Sequence, residues 1–159
     1  MADNKTQEFE NRLLDHIFLN AAIADIGSVG AGPGLPPSVS EGNLYISLHT
    51  AVLTDAADQS TSEATYTGYS TLGRIAVPRN GTYWEAGAAG TSGRTQNLLP
   101  IVFSACTAGG PETIRAFGIG TDATGTGHLL YWGTLSATLD VSAGITPQFA
   151  AGDLTVAEL

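Results

Sequence analysis

Three histidines, one cysteine and a scatter of carboxylates are the side chains in this 159-residue sequence that could bind a metal or move a proton. His16, His49 and His128 fall in three separate elements, and none has a second ligand at His-x-x-x-His spacing. A zinc site needs three or four converging ligands, and no such set can be read here. Each histidine therefore reads as a surface or interface residue. His16 sits at the edge of an apolar helical face, His49 on the more polar face of a strand, and His128 at the start of a strand after a glycine turn. Cys106 ends the apolar stretch Ile101-Val-Phe-Ser-Ala-Cys106 and reads as a small buried hydrophobe. As a nucleophile it would need a positioned base, and nothing marks one. A single cysteine also excludes an intrachain disulfide.

The carboxylates Asp55, Asp58, Glu63, Glu85, Glu112, Asp122, Asp140 and Asp153 are spread through loops. A sugar-cleaving pair is defined by separation in space and cannot be read from such spacing. Tyr83, Trp84, Tyr131 and Trp132 are aromatics that could line a sugar site, but Tyr-Trp pairs in strands read first as sandwich core. There is no calcium loop of the D-x-[DN]-x-[DN]-G type and no Ser-His-Asp signature. Gly30-Ala-Gly-Pro-Gly34 lacks the strand before and helix after that a dinucleotide fingerprint requires, and neither Gly118-Ile-Gly120 nor Gly125-Thr-Gly127 matches a phosphate loop. These glycines read as turns needing positive φ. The expectation is a protein that is not an enzyme and uses no cofactor or metal.

The elements that would position these groups divide into two kinds. Phe9, Leu13 and Ile17 recur every four residues, with Leu14, Phe18 and Ala22 in a second row beside them. This predicts an amphipathic helix over residues 6–24, capped by Asn4 or Thr6 and ended by Gly27. Phe9, Leu13, Ile17 and Phe18 are the candidate partner-contact residues on its face. The face could pack on its own domain or on a neighbouring subunit. Residues 27–42 are rich in proline and glycine and read as a linker. From Asn43 the pattern becomes β, with Leu44, Ile46 and Leu48 alternating against Tyr45, Ser47 and His49. Thr50 to Thr65 reads as a polar loop. Short strands follow around 72–77, 98–103, 113–119, 128–135, 138–141 and 154–156, and 81–84 could add another. Turn signals at 79–81, 109–111, 120–127 and 142–144 divide them. The expected fold is mainly β, an antiparallel β-sandwich or barrel-like domain with one N-terminal amphipathic helix. The expected organisation is helix 1–26, linker 27–42 and β domain 43–159.

Composition limits the partners. Apolar residues make up 43% and charged residues only 13%, against a usual charged share of roughly 25%. Six basic residues face fifteen acidic ones, for a net charge of −9. The basic residues Lys5, Arg12, Arg74, Arg79, Arg94 and Arg115 form no run, so no direct nucleic-acid partner is expected. No apolar stretch approaches the roughly 18 residues of a membrane span, and no membrane partner is expected. The polar start Met-Ala-Asp-Asn-Lys lacks a signal-peptide core, which points to assembly in a cytoplasm and makes the sequons at Asn4 and Asn80 chance matches.

Several segments taken in order carry a resemblance. They are Phe9-Glu-Asn-Arg-Leu-Leu-Asp-His16, Gly42-Asn-Leu-Tyr-Ile-Ser-Leu-His-Thr-Ala51, Tyr66-Thr-Gly-Tyr69 and Arg74-Ile-Ala-Val77. Trp84, Ile101-Val-Phe103, Phe117-Gly-Ile-Gly-Thr-Asp122, Gly127-His-Leu-Leu-Tyr-Trp-Gly133 and Pro147-Gln-Phe-Ala-Ala-Gly-Asp-Leu154 follow. Over roughly residues 8 to 156 the chain resembles small virion proteins of tailed phages, the tail-fibre-like and capsid decoration proteins. It departs from them slightly at the turn Gly120-Thr-Asp122 and the strand start Gly127-His-Leu129. The resemblance implies a β domain, homo-oligomeric and attached to the phage particle, with no catalytic residues to carry over. On this reading the protein is a virion component assembled in the bacterial host cytoplasm. The first expectation is a capsid decoration (cement) protein on the outer head surface, bound to the major capsid protein, since an acidic chain suits the capsid exterior. Trimers are favoured there by the threefold axes. The alternative is a tail or neck fibre component contacting a host receptor and bound to neck or tail proteins. A hydrolase acting on envelope sugar or peptidoglycan is the third and weakest reading.

Overall fold

The computed structural model describes residues 5–24, 26, 34–87 and 93–158. Its elements in chain order are α1 (Gln7–Phe18), β1 (Asn43–His49), α2 (Tyr69–Leu72), β2 (Ile75–Pro78), β3 (Arg94–Gln96), β4 (Ile101–Val102), β5 (Glu112–Gly120), β6 (Leu129–Val141), β7 (Gln148–Phe149) and β8 (Thr155–Ala157). One sheet has four strands in the order β2-β1-β5-β6, and β3–β8 and β4–β7 form two-stranded ladders. The fold is mainly β with antiparallel sheets and a helix near the N-terminus, as expected. Asn4, residues 27–33 of the expected linker and residues 88–92 lie outside the described residues.

Two compact units interleave along the chain. The first contains residues 1–42, 78–100 and 150–159. Thr6 caps α1 by accepting the Phe9 amide, and Leu14 and Phe18 are its buried positions. Phe18 meets Trp84 edge-on at 4.7 Å between ring centroids, and both side chains are 0% exposed. Trp84 is thus the core residue expected of it, and the helix packs on its own chain. α1 stops at Phe18, short of the expected residue 24. The reason lies far along the sequence. Arg79 donates from Nε to the Ile17 carbonyl (2.6 Å) and from Nη2 to the His16 carbonyl (2.5 Å), satisfying the last turn and placing a cation at its negative end. Asn20 then takes positive φ, and Ile23 bridges Leu35 instead of extending the helix. The β3–β8 ladder closes this unit, with Asn97 buried beneath it. Its amide donates to the Leu99 and Ala150 carbonyls and accepts the Leu154 amide.

The second unit contains residues 43–77 and 101–149. β1 pairs with β5, Ile46 opposite Ile119 and Leu48 opposite Phe117, so these four side chains share one face. An aromatic series covers that side. Tyr66 touches Tyr69 (5.6 Å), Tyr69 touches Phe103 (6.1 Å), Phe103 touches Phe149 (6.2 Å) and Phe149 touches Phe117 (5.6 Å). Phe149 thereby seats the β4–β7 ladder on the four-stranded sheet, a sandwich-like contact. Cys106 is buried as expected. Segments expected as two strands, 128–135 and 138–141, form the single strand β6. It remains on β5 because an irregularity between the Ala116–Thr134 and Ile114–Leu139 pairs absorbs the residues between. Residues 81–83 form a turn rather than a strand, Trp84 makes only an isolated antiparallel bridge to Asn97, and Leu72, expected to open a strand, ends α2.

Candidate functional site

On the other side of β1, Ser47 and His49 point away from the aromatic series, opposite Gly118 and Ala116 of β5. That face was expected to be polar and half-exposed, with His49 at the surface. Instead Ser47 and His49 are both 0% exposed. The cause is the loop 50–65, which turns back along the end of β1. The Thr50 amide donates to the Ser62 carbonyl, and the Ala64 amide to that of Leu48.

The geometry assigns the protons. His49 Nδ1 lies 2.8 Å from the Thr61 carbonyl, which only accepts, so Nδ1 carries hydrogen. In the neutral ring Nε2 is then an acceptor, and Ser47 Oγ at 2.8 Å donates to it. Burial is the main cause that holds the His49 pKa below its ordinary value, against opposing pulls from the Thr61 carbonyl and Glu63. A neutral histidine accepting from a serine hydroxyl is the resting arrangement of a nucleophile and its base. Here it serves packing, because neither side chain reaches solvent. A Cβ on Gly118 would stand 2.6 Å from Ser47 Oγ and 2.8 Å from His49 Nε2, so the backbone of β5 lies directly on the pair.

A second cluster ties the same loop to the turn 121–128. Arg74 grips Glu63 with two bonds of 2.8 Å and donates to the carbonyls of Asp122 (2.9 Å) and Gly125 (2.7 Å). Glu63 also accepts the Tyr69 hydroxyl at 2.7 Å. The Arg74 side chain is 1% exposed. Gln59, also fully buried, donates to the Asp122 carbonyl (3.3 Å) and accepts its amide (3.0 Å), while its own amide donates to Thr126 (2.9 Å). Only glycine leaves room for it, since a Cβ on Gly120 would lie 2.1 Å from Gln59 Cδ. The outer residues of both loops, Ser60 to Ser62 and Thr121 to Thr126, remain exposed. The result is a pair of solvent-facing polar loops held rigidly from beneath.

The model of the family described as podophage GP4 fiber I protein gp80 matches residues 34–157. The chain belongs to this fiber I family. A search of curated proteins finds no match. Membership makes the chain a tailed-phage structural protein and a virion component, in agreement with the resemblance read from its ordered motifs.

Within this fiber I protein the residues singled out by chemistry are dispersed. His16 bonds the Ala21 carbonyl through Nδ1 (2.7 Å), and His128 is exposed. Among the described residues no three His, Cys, Asp or Glu side chains gather as metal ligands, and no helix is long and apolar enough to cross a membrane. Of the helix residues, Phe9 is 37% exposed, Leu13 and Ile17 are half-buried, and Phe18 is turned inward onto Trp84. Sequence reasoning did not find the Ser47–His49 pair or the Glu63–Arg74 brace. The first had a signal, two polar residues two apart on an otherwise apolar strand. The second had none, because its partners meet only after the loop folds back.

Proposed function

We propose that the chain is a non-enzymatic fiber component of a podophage virion, present as a homo-oligomer, and that its exposed loops 60–62 and 121–126 form a contact surface for the host. The braced loop pair carries this reading. Polar loops over a buried ion pair present a fixed shape to a partner and lose little freedom on binding. Membership in a family named for a fiber supports it. The test is binding of the purified protein to host cells, together with labelling of particles in electron microscopy. Binding and labelling at the tail or neck support the reading; no binding, with label confined to the head surface, overturns it.

The net charge of −9 favours a second reading, a decoration protein on the outer head surface bound to the major capsid protein. Copy number separates the two. Decoration requires copies comparable to the major capsid protein, whereas a fiber is present in far fewer.

A further inference from the structure

Asn80 is the only asparagine in the chain that precedes a glycine, and no aspartate does so. An asparagine so placed can react with its own backbone, because the next residue's nitrogen closes a five-membered ring on the side-chain carbonyl carbon. The turn brings together the groups this reaction uses. Asn80 Oδ1 accepts the Thr82 amide at 3.0 Å, so that amide polarises the carbonyl and lies where negative charge builds when Cγ is attacked. Asn80 Nδ2, the group that would leave, donates to Glu41 Oε2 at 2.7 Å. Gly81 is exposed, and among the described residues its amide donates to no main-chain carbonyl. A Cβ on Gly81 would meet nothing within 4 Å, so no neighbour shields the attacking nitrogen.

We propose that Asn80-Gly81 is a site of spontaneous deamidation in the folded protein. The Gly81 nitrogen gives up its proton and forms a bond to Asn80 Cγ. The Cγ–Nδ2 bond breaks, and ammonia leaves with that proton. Water then opens the succinimide at either carbonyl, giving aspartate or isoaspartate, and no other reactant is consumed. Each event adds a negative charge to a chain already at −9. The change falls at a junction. Where Asn80 donated to Glu41, two carboxylates face one another. The neighbouring Arg79 closes α1 at the His16 and Ile17 carbonyls and holds the Ser38 hydroxyl. The Asn80 carbonyl accepts the amides of Tyr83 and Trp84. In isoaspartate that carbonyl becomes a side-chain carboxylate and the main chain runs through Cγ instead, which undoes the turn between the helix cap and the buried Trp84. A virion component is not replaced after assembly, so the conversion accumulates with the age of the particle.

The test incubates the folded full chain at mildly alkaline pH in heavy-oxygen water and reads its peptides by mass spectrometry, with a urea-unfolded sample alongside. The peptide containing Asn80 is expected to take up one heavy oxygen and to hold isoaspartate in excess of aspartate. Asn20 and Asn97, followed by Ala21 and Leu98, are expected to remain amides. Gly81→Ala fits the open space without a positive φ, and its Cβ crowds the attacking nitrogen. It is expected to slow conversion about tenfold or more, with circular dichroism checking the fold. The heavy-oxygen result on the wild type does not depend on that variant. Converted chains, separated by anion exchange, are expected to unfold at a lower temperature than the parent. An Asn80 that stays an amide in the folded chain while the unfolded chain converts overturns the site. Aspartate without isoaspartate, or an equal rate in folded Gly81→Ala, overturns the succinimide route. Equal melting of converted and parent chains overturns the link to the helix cap.

Discussion

Ser47 donates its hydroxyl to Nε2 of His49 across 2.8 Å, and neither side chain reaches solvent. The same two groups on a surface would be a reactive pair. Under the backbone of β5 they satisfy one another and fasten the Thr61 carbonyl, and with it the loop, to the sheet. A fluorophosphonate probe is expected to leave Ser47 unlabelled in the folded protein. Labelling at Ser47 that is lost in His49→Gln would show an accessible nucleophile and refute the structural role.

The buried histidine makes stability depend on pH in a defined direction. Desolvation lowers the His49 pKa in the folded chain, so the unfolded chain binds its proton first as pH falls. The contribution is complete above the unfolded value near 6.5 and is lost as pH drops from there toward the folded value. The urea midpoint should therefore fall between about pH 7.5 and about pH 5.5, a window above most carboxylate titrations. His49→Gln should flatten that dependence; an equal slope in both proteins would exclude His49 as its source.

Removing one partner of the Glu63–Arg74 pair leaves the other without its counter-ion. Arg74→Ala should cost about 3 kcal/mol, the low end of the range for buried pairs because the Glu63 side chain is 21% exposed. The more specific readout is amide exchange. The Asp122 amide, held by Gln59, should exchange faster, while amides in the centre of β5 change little. Uniform acceleration across the unit would mean global destabilisation rather than release of the loop.

Gln59 and Gly120 should behave as a coupled pair. Gly120→Ala alone drives a methyl into the Gln59 side chain and should cost about 1–3 kcal/mol by overpacking. In a Gln59→Ala background the clash is gone and the added cost should shrink. A double-mutant cycle in urea measures the difference, and strict additivity would count against the contact.

The helix is tested at its inner face. Phe18→Ala should cost about 3–5 kcal/mol, since it empties the space against Trp84. Phe9→Ala, at a half-open position, should stay within about 0.5 kcal/mol. Thermal unfolding distinguishes the two, and equal losses would mean that the helix does not present Phe18 inward.

Much of the fold was legible because it depended on local periodicity. The apolar alternation of Leu44, Ile46 and Leu48 marks β1, and the rows around Leu14 and Phe18 mark α1. What escaped depended on distant partners. The end of α1 is set by Arg79, more than sixty residues later in the chain. β3 and β7 have three and two residues, too few for a period to register. His49 looked exposed because alternation assigns it to the outer face, and nothing in the sequence says that Thr61 will return to cover it. The brace could not be read for the same reason: Glu63, Arg74 and Asp122 are far apart in sequence, and each alone resembles an ordinary surface charge.

The brace grips the outer loop almost wholly through its main chain. Arg74 holds the carbonyls of Asp122 and Gly125, and Gln59 holds the amide and carbonyl of Asp122 and the carbonyl of Thr126. The side chains of Ala123, Thr124 and Thr126 take no part in this anchoring. Selection can rewrite those positions while the path of the loop stays the same, so a lineage can change what its loop meets without first having to refold it.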